Sequence, residues 1–245
     1  MWNGVKKKVP MINSLNFFDG GHCTHLERMV LKTGRYCNTK FPSIFTHIEH
    51  EKLGHILFDT GYSDRFFEGT QKFPYSLYAK LTPVFLKNQE AAIEKLRSIS
   101  VENTEIKYII ISHFHADHIA ALKDFPNAQF IYLKEAYDCV KGLNSFQSLK
   151  KGFVPSLLPI DFEERSLVID ESQNAQELSK KLKSKFTDCY DLFQDGSILG
   201  VKLPGHAKGQ LGILIEYNGK TFFLIADSCW MSESFEKNIP PSEIS

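Results

Sequence analysis

The chain has 245 residues, 42% of them hydrophobic, and its 29 basic and 29 acidic side chains leave no formal net charge. Zero net charge excludes a chain-wide basic field, so nucleic acid is not an expected partner, and no apolar run reaches the roughly 20 residues of a membrane span. Five cysteines without a Cys-x-x-Cys pair argue against a disulfide scaffold and predict a cytoplasmic location.

Strands are predicted where short runs of β-branched and aromatic residues are closed by turn residues. In chain order, the predicted strands are 43–47, 55–59, 106–111, 129–133, 198–203, 211–216 and 221–226. The first two should form a hairpin, and Asn218-Gly219 predicts a second hairpin between the last two. The segment 106–111 is apolar throughout, which is typical of a strand that is buried on both faces.

Helical spacing is weaker and predicts helices over 89–99, 118–123, 134–141 and 177–186. Strands and helices therefore alternate along the chain, and no Gly/Ser/Pro-rich linker divides it. This order predicts one α/β domain, residues 1–245, in which two mixed sheets pack together with helices outside.

The segment 66–85 is rich in aromatic residues and fits neither the helical nor the strand period. One interpretation is a loop that packs on the core. The other is an apolar wall over a substrate site, to which Phe66, Phe67 and Phe73 would contribute.

Residues 112–118 read Ser-His-Phe-His-Ala-Asp-His and follow the predicted buried strand directly. Side chains two residues apart in an extended segment point the same way, so His113 and His115 can converge on one ion. Asp117 and His118 can face a second point after the chain turns. Imidazole and carboxylate groups suit zinc, and also iron or manganese.

Further ligands must come from elsewhere in the chain. His206 lies in a glycine-flanked turn after strand 198–203, and Asp227 and Asp59 each end an apolar strand. Each of them alone fits a cap or a surface residue equally well. Three strand ends that all present such groups favour a shared metal site.

These motifs, His113-x-His115-x-Asp117-His118, Pro204-Gly205-His206, Asp227 and Phe58-Asp59-Thr60-Gly61, follow one another in the order and spacing of a known family. Over almost its whole length the chain resembles the metallo-β-lactamase superfamily. The resemblance implies a four-layer αβ/βα sandwich with a dinuclear site between its sheets.

The resemblance also implies two divalent metal ions, with zinc favoured. The implied ligands are His113, His115 and His206 for the first metal, Asp117 and His118 for the second, and Asp227 for both. Asp59 would lie behind them, hydrogen-bonded near a ligating histidine.

Within the superfamily, the segment 224–230 makes the chain most similar to the N-acyl homoserine lactone lactonases. This implies a metal-dependent hydrolase that opens an ester or lactone with a metal-bridged hydroxide, while Asp117 carries a proton as catalytic residue. Two positions depart from that branch. Trp230 replaces a tyrosine that contacts the substrate carbonyl, and no histidine follows His206 to complete the second site. The sequence of residues 238–245 is similar to an interrupted helix start, which favours truncation.

Three alternatives stay open. A thioester hydrolase of the glyoxalase II type would need a cation for carboxylate recognition, for which Lys208 is the candidate. A phosphodiesterase would keep the same metal site. A non-catalytic binding protein with a degraded metal site belongs to another class. In each case the expected partner is a small molecule, with no membrane or nucleic acid, and the chain is expected to be a monomer or homodimer.

Three other histidines surround the first predicted hairpin. His47, His50 and His55 are predicted to be exposed to solvent, because the stretch between the two strands is polar.

Overall fold

Eleven strands form two sheets in residues 11–170 and 189–239, the parts of the chain that this computed structural model describes. The strands of the first sheet are β1 (Ile12–Leu26), β2 (Asn38–His50), β3 (Gly54–Phe58), β4 (Val84–Phe85), β5 (Ile106–Ile110), β6 (Gln129–Leu133) and β7 (Ser166–Ile169). Those of the second are β8 (Cys189–Asp191), β9 (Ile198–Lys202), β10 (Leu211–Tyr217) and β11 (Lys220–Leu224).

The first sheet is mixed and has the order β4-β1-β2-β3-β5-β6-β7. Its β4-β1-β2-β3 half is antiparallel, whereas β3, β5, β6 and β7 run parallel. The second sheet is antiparallel in the order β11-β10-β9-β8. Asn218 and Gly219 both have positive φ, 50° and 71°, which is the turn geometry that the Asn-Gly pair predicts.

Eight short helices accompany the sheets in the described residues. They are α1 (Glu27–Val30), α2 (Asp64–Gly69), α3 (Tyr75–Leu81), α4 (Ala92–Arg97), α5 (Ala116–Ile119), α6 (Lys134–Asp138), α7 (Ser145–Lys150) and α8 (Ser232–Glu236). None of the helices among the described residues is long and apolar enough to cross a bilayer.

Alternation along the strands divides the core into two layers. Ile48, Ile56 and Ile110 point toward the second sheet and pack with its isoleucines. Their neighbours Leu57 and Ile109 point the other way and pack beneath the helices. Each central strand is thus buried on both faces, which confirms the predicted arrangement of two packed sheets with helices outside.

Several local expectations need correction. Strand β1, the longest in the described residues, was not predicted, because its polar residues interrupt the alternation. The segment 66–85 contains helices α2 and α3 rather than a loop. The helix predicted over 177–186 lies outside the described residues, as do residues 240–245 of the final segment.

The prediction that the hairpin histidines are exposed is wrong. His47 is 1% exposed and His50 2%, and His55 is half-buried with its ring stacked on that of His47. The physical reason is that both faces of these strands are covered, so a side chain on either face is enclosed.

Candidate metal centre

The predicted ligands come from three chain segments, and Asp59 behind them from a fourth, and all four segments meet at one edge of the two sheets. Residues 111–118 follow the carboxyl end of β5, and His115 precedes the first residue of α5. His206 lies in the turn between β9 and β10, and Asp227 follows β11 in a short 3₁₀ turn. Because β3 and β5 are parallel neighbours, Asp59 at the end of β3 lies at the same edge.

The first group of ligand atoms belongs to His113, His115, His206 and Asp227, and all of these atoms lie within 4.8 Å of one another. His206 Nε2 is 2.9 Å from His115 Nδ1 and 3.4 Å from Asp227 Oδ2. The ring centroids of His113 and His115 are 4.5 Å apart. The three rings therefore aim nitrogen atoms at one point.

The second group consists of Asp117, His118 and Asp227. His118 Nε2 lies 3.4 Å from Asp117 Oδ2 and 3.4 Å from Asp227 Oδ1. Asp227 thus turns one carboxylate oxygen toward each group, which is the geometry of a bridging ligand. The structure brings together all six residues that the sequence pairs with metal ions.

Two buried nitrogen atoms test whether this site fits a cation. His113 Nε2 and His118 Nε2 are inaccessible to solvent and have no hydrogen-bond partner. A buried polar atom without a partner is costly, and a divalent cation would satisfy the lone pair of His113 Nε2 directly and that of His118 Nε2 once its proton is displaced. The donor set of imidazole and carboxylate fits such an ion.

The histidines of the first group are held neutral. Burial, reinforced by His206, lowers the pKa of His115 to about 3. Burial, reinforced by His118 and His115, lowers the pKa of His113 well below its ordinary value. Neutral imidazole is the form that binds a metal ion, so these residues need not lose a proton first.

The second group has the opposite electrostatics. Burial alone would lower the pKa of His118, but Asp117, Asp59 and Asp227 raise it well above its ordinary value. Burial would raise the pKa of Asp227, yet the positive charge of His118 holds it at about 2. Cation binding at this group must therefore displace a proton from His118.

Asp59 fixes the orientation of His118 from behind. Its Oδ2 accepts a hydrogen bond from His118 Nδ1 at 2.8 Å, and its Oδ1 accepts from the Ser112 backbone N–H at 2.8 Å. With Nδ1–H engaged, His118 turns Nε2 toward the other ligands. The backbone of Asp59 has φ 60°, a left-handed conformation that aspartate tolerates better than most residues.

Two residues near the ligands were not predicted to belong to the site. The hydroxyl of Ser112 lies 3.0 Å from His113 Nδ1. Gln210 donates through Nε2 to Ser228 Oγ at 2.7 Å and so ties the β9–β10 turn to the segment that carries Asp227. Their only signal in the sequence is a position next to a ligand motif.

An apolar cavity of about 290 Å³ opens beside the second group. Its walls include Asp117, His118 and Asp227 on one side, and Trp230, Phe41, Cys23, Ile44, Phe17 and Leu224 elsewhere. Trp230 also packs 5.2 Å from Phe41 and 5.7 Å from His206, measured between ring centroids. Trp230, one of the expected pocket residues, therefore lines the cavity and contacts the predicted ligand His206.

The other three expected pocket residues do not reach this cavity. Phe66 faces inward from α2 and is fully buried in the core beneath the helices. Phe67 packs edge-on against Phe66, and Phe73 is 67% exposed and packs against Phe146 instead. Helix α2 turns Phe66 inward, whereas Phe73 lies in the turn between α2 and α3, on the surface.

The chain matches one family model and is similar to several named proteins. A family model described as the metallo-beta-lactamase superfamily matches residues 48–228. The N-acyl homoserine lactonase AttM of Agrobacterium fabrum is 26% identical over 160 residues, which cover 65% of this chain and 54% of the relative. The N-acyl homoserine lactonase of Bacillus cereus is 23% identical over 239 residues, or 94% of this chain and 81% of the relative.

Solved structures agree on the fold. An N-acyl homoserine lactone hydrolase with N-hexanoyl-L-homoserine bound at its catalytic metal centre superposes with a TM-score of 0.68 at 20% identity, covering 94% of this chain and 81% of that one. AidC, a dizinc quorum-quenching lactonase, gives a TM-score of 0.55 at 13% identity over 88% and 74%. The chain spans about half the length of the AttM relatives that it matches.

Proposed function

This chain belongs to the metallo-beta-lactamase superfamily, and from that premise we propose that it is a metal-dependent hydrolase that opens lactone or ester bonds. One observation carries the proposal: two groups of ligand atoms share Asp227 at the side of an apolar cavity. Because the matching curated relatives are named N-acyl homoserine lactonases, an N-acyl homoserine lactone is the leading substrate.

Two divalent ions, with zinc favoured, would be held by His113, His115 and His206 and by Asp117 and His118, with Asp227 between them. Bound there, they supply a Lewis acid for the carbonyl and lower the pKa of water toward neutrality. The two unpartnered imidazole nitrogens described above support this assignment.

Asp117 is the residue that we assign to proton transfer. Its carboxylate borders the cavity, and its Oδ2 lies 3.4 Å from His118 Nε2. A carboxylate in this position can accept a proton from the attacking water and return it later in the reaction. We infer that Asp117 takes this proton and gives it to the leaving alkoxide oxygen as the ring opens.

The apolar walls favour a substrate with an acyl chain. Trp230, Phe41 and Ile44 offer such a chain apolar surface close to the ligand residues. The Trp230 indole N–H can donate a hydrogen bond to a carbonyl oxygen but cannot act as an acid or base at neutral pH. Trp230 therefore binds and orients substrate without exchanging a proton.

A panel of lactones and aryl esters tests the proposed reaction. The full chain would be loaded with Zn²⁺, Fe²⁺ or Mn²⁺ and compared with chelator-treated protein. We expect metal-dependent opening of acyl homoserine lactones, measured as acid release. Absence of turnover on every lactone and ester, in protein that holds two metals per chain, would rule out this reaction.

The same preparation separates the alternatives. Lys208, the cation that a glyoxalase II-type thioesterase would require, lies 3.6 Å from Glu135 and does not line the cavity. This placement favours lactones and esters over glutathione thioesters. A thioester and a phosphodiester in the panel test both alternatives, and metal content well below two per chain would favour the non-catalytic binding protein.

We further propose that the chain works in the cytoplasm. None of the five cysteines, all of which lie in the described residues, forms a disulfide, and Cys23 and Cys189 are buried. Several thiols without a disulfide are typical of proteins in reducing compartments.

A further inference from the structure

Ser112 connects the two sheets just before the ligand motif. The residue is fully buried, and its backbone N–H donates to Asp59 Oδ1 at 2.8 Å. Its carbonyl oxygen accepts from the Leu211 N–H, also at 2.8 Å, at the first residue of β10. The backbone of Ser112 is thus fixed from both sheets, which gives its side chain a defined position.

The hydroxyl of Ser112 lies between two ligand histidines. Its oxygen is 3.0 Å from His113 Nδ1 and 3.3 Å from His118 Nδ1. His118 Nδ1–H already has a shorter, charge-assisted hydrogen bond to Asp59 Oδ2, at 2.8 Å. The principal partner of the hydroxyl is therefore His113 Nδ1.

The direction of this hydrogen bond determines which nitrogen of His113 can bind a metal. If the hydroxyl donated to Nδ1, the ring proton would sit on Nε2, which is buried and has no acceptor. If Nδ1–H donates to the hydroxyl oxygen, Nε2 keeps a lone pair and points it toward the other ligands. Only the second arrangement leaves His113 with a lone pair on Nε2, the buried nitrogen of a ring that packs against the rings of His115 and His206.

We propose that Ser112 is a positioning residue that fixes His113 in the Nδ1–H tautomer, so that Nε2 is free to bind the first metal. Asp59 does the same for His118 in the second group. The inference rests on the metal-dependent function proposed above.

The test compares three variants of the full chain. Ser112→Ala removes the acceptor, and Ser112→Thr keeps a hydroxyl. Ser148→Ala is the matched control, because Ser148 is equally buried, belongs to α7, and its hydroxyl has no hydrogen-bond partner. Affinity for Zn²⁺ is measured by competition with a chromogenic chelator, and the tautomer of His113 by long-range ¹H–¹⁵N NMR of the metal-free protein.

We expect Ser112→Ala to weaken Zn²⁺ binding by about 10–100-fold, the usual effect of losing a group that orients a ligand. Ser112→Thr should restore most of the affinity, and Ser148→Ala should bind as the unaltered chain does. NMR should show His113 with its proton on Nδ1 in the unaltered chain and a shift toward Nε2–H in Ser112→Ala.

Unchanged affinity in a folded Ser112→Ala variant would overturn the proposal, and so would an Nε2–H tautomer of His113 in the unaltered chain. The NMR result on the unaltered chain stands even if the alanine variant does not fold. A chain that binds Zn²⁺ with the expected dependence on Ser112 but opens no lactone would refute the proposed reaction and leave the role of Ser112 intact.

Discussion

Two groups of histidines lie in the described part of the chain, and they differ in what surrounds them. In the edge group, formed by His113, His115, His118 and His206, the Nε2 atom of His113 has no hydrogen-bond partner and that of His118 faces two carboxylates at 3.4 Å. In the hairpin group, formed by His47, His50 and His55, His47 Nδ1 accepts from Asn16 Nδ2 at 3.2 Å and its Nε2–H donates to His55 Nδ1 at 2.9 Å. His47 and His113 are both fully buried, but both ring nitrogens of His47 are hydrogen-bonded.

The difference shows that an unpaired nitrogen identifies a cation site where further ligand atoms converge on it. His50 Nε2 also lacks a hydrogen-bond partner and faces Asp195 Oδ2 at 3.5 Å, but in the described residues it belongs to no group of three possible ligands. The hairpin group holds strands together. The edge group instead brings imidazole nitrogens and carboxylate oxygens together in two sets that could each bind a cation.

The largest effect should come from removing one ligand of the edge group. His206→Gln takes away an imidazole whose Nε2 lies 3.4 Å from Asp227. We expect loss of one metal per chain and a fall of lactone hydrolysis to the metal-free background, because the Lewis acid is lost. Elemental analysis and a pH-indicator assay measure the two quantities.

His47→Gln is the matched variant in the hairpin. It replaces a histidine that is more deeply buried than His206 and hydrogen-bonds to Asn16 and His55, not to a predicted ligand, so metal content and hydrolysis per folded molecule should stay as in the unaltered chain. Equal loss of metal from both variants would break the distinction between the two groups.

The second effect concerns stability toward acid. Burial, with His55 adding to it and Glu49 opposing it, lowers the pKa of His47 to about 4 from an ordinary value of 6.5. The unfolded chain therefore binds a proton between these values that the folded chain does not. Stability contributed by neutral His47 is complete above pH 6.5 and declines by about 3 kcal/mol as the pH falls to 4.

Chemical denaturation at a series of pH values measures this effect. In His47→Gln the free energy of unfolding should fall less steeply between pH 6.5 and 4, since glutamine does not titrate. The edge group titrates in both proteins, so the difference between the two slopes isolates His47. Identical slopes would show that the hairpin pair does not exclude the proton.

A third prediction concerns the charge behind His118. Asp59→Asn keeps an acceptor for the Ser112 N–H, and asparagine also tolerates the φ of 60°. It removes the anionic acceptor of His118 Nδ1–H. We expect affinity for the second metal to fall by about 10–100-fold while the first stays bound, as titration calorimetry with Zn²⁺ would show. Loss of both metals in equal measure would contradict two separately supported groups.

The sequence predicted the edge group better than the hairpin group for a physical reason. Residues 113–118 carry their spacing locally, and His206 and Asp227 each follow a recognisable apolar strand. The burial of His47 depends on β1, whose irregular polar residues concealed that strand and whose Asn16 contacts the ring of His47. The sequence likewise did not indicate that Phe66 packs into the core and that Phe73 lies on the surface, because the packing of α2 and of the turn after it involves distant residues.

The smallest effect should separate two aromatic residues that the sequence placed in one pocket. Trp230 lines the cavity beside His206, whereas Phe73 is 67% exposed on another face. Trp230→Phe removes the indole N–H and some apolar area, worth about 1 kcal/mol of substrate binding, so KM for a long-chain acyl lactone should rise about fivefold. Phe73→Ala removes a larger ring surface but should leave KM unchanged. Steady-state kinetics over a series of acyl lengths would measure KM for both variants. A rise in KM for Phe73→Ala would mean that the substrate also contacts the segment 66–85.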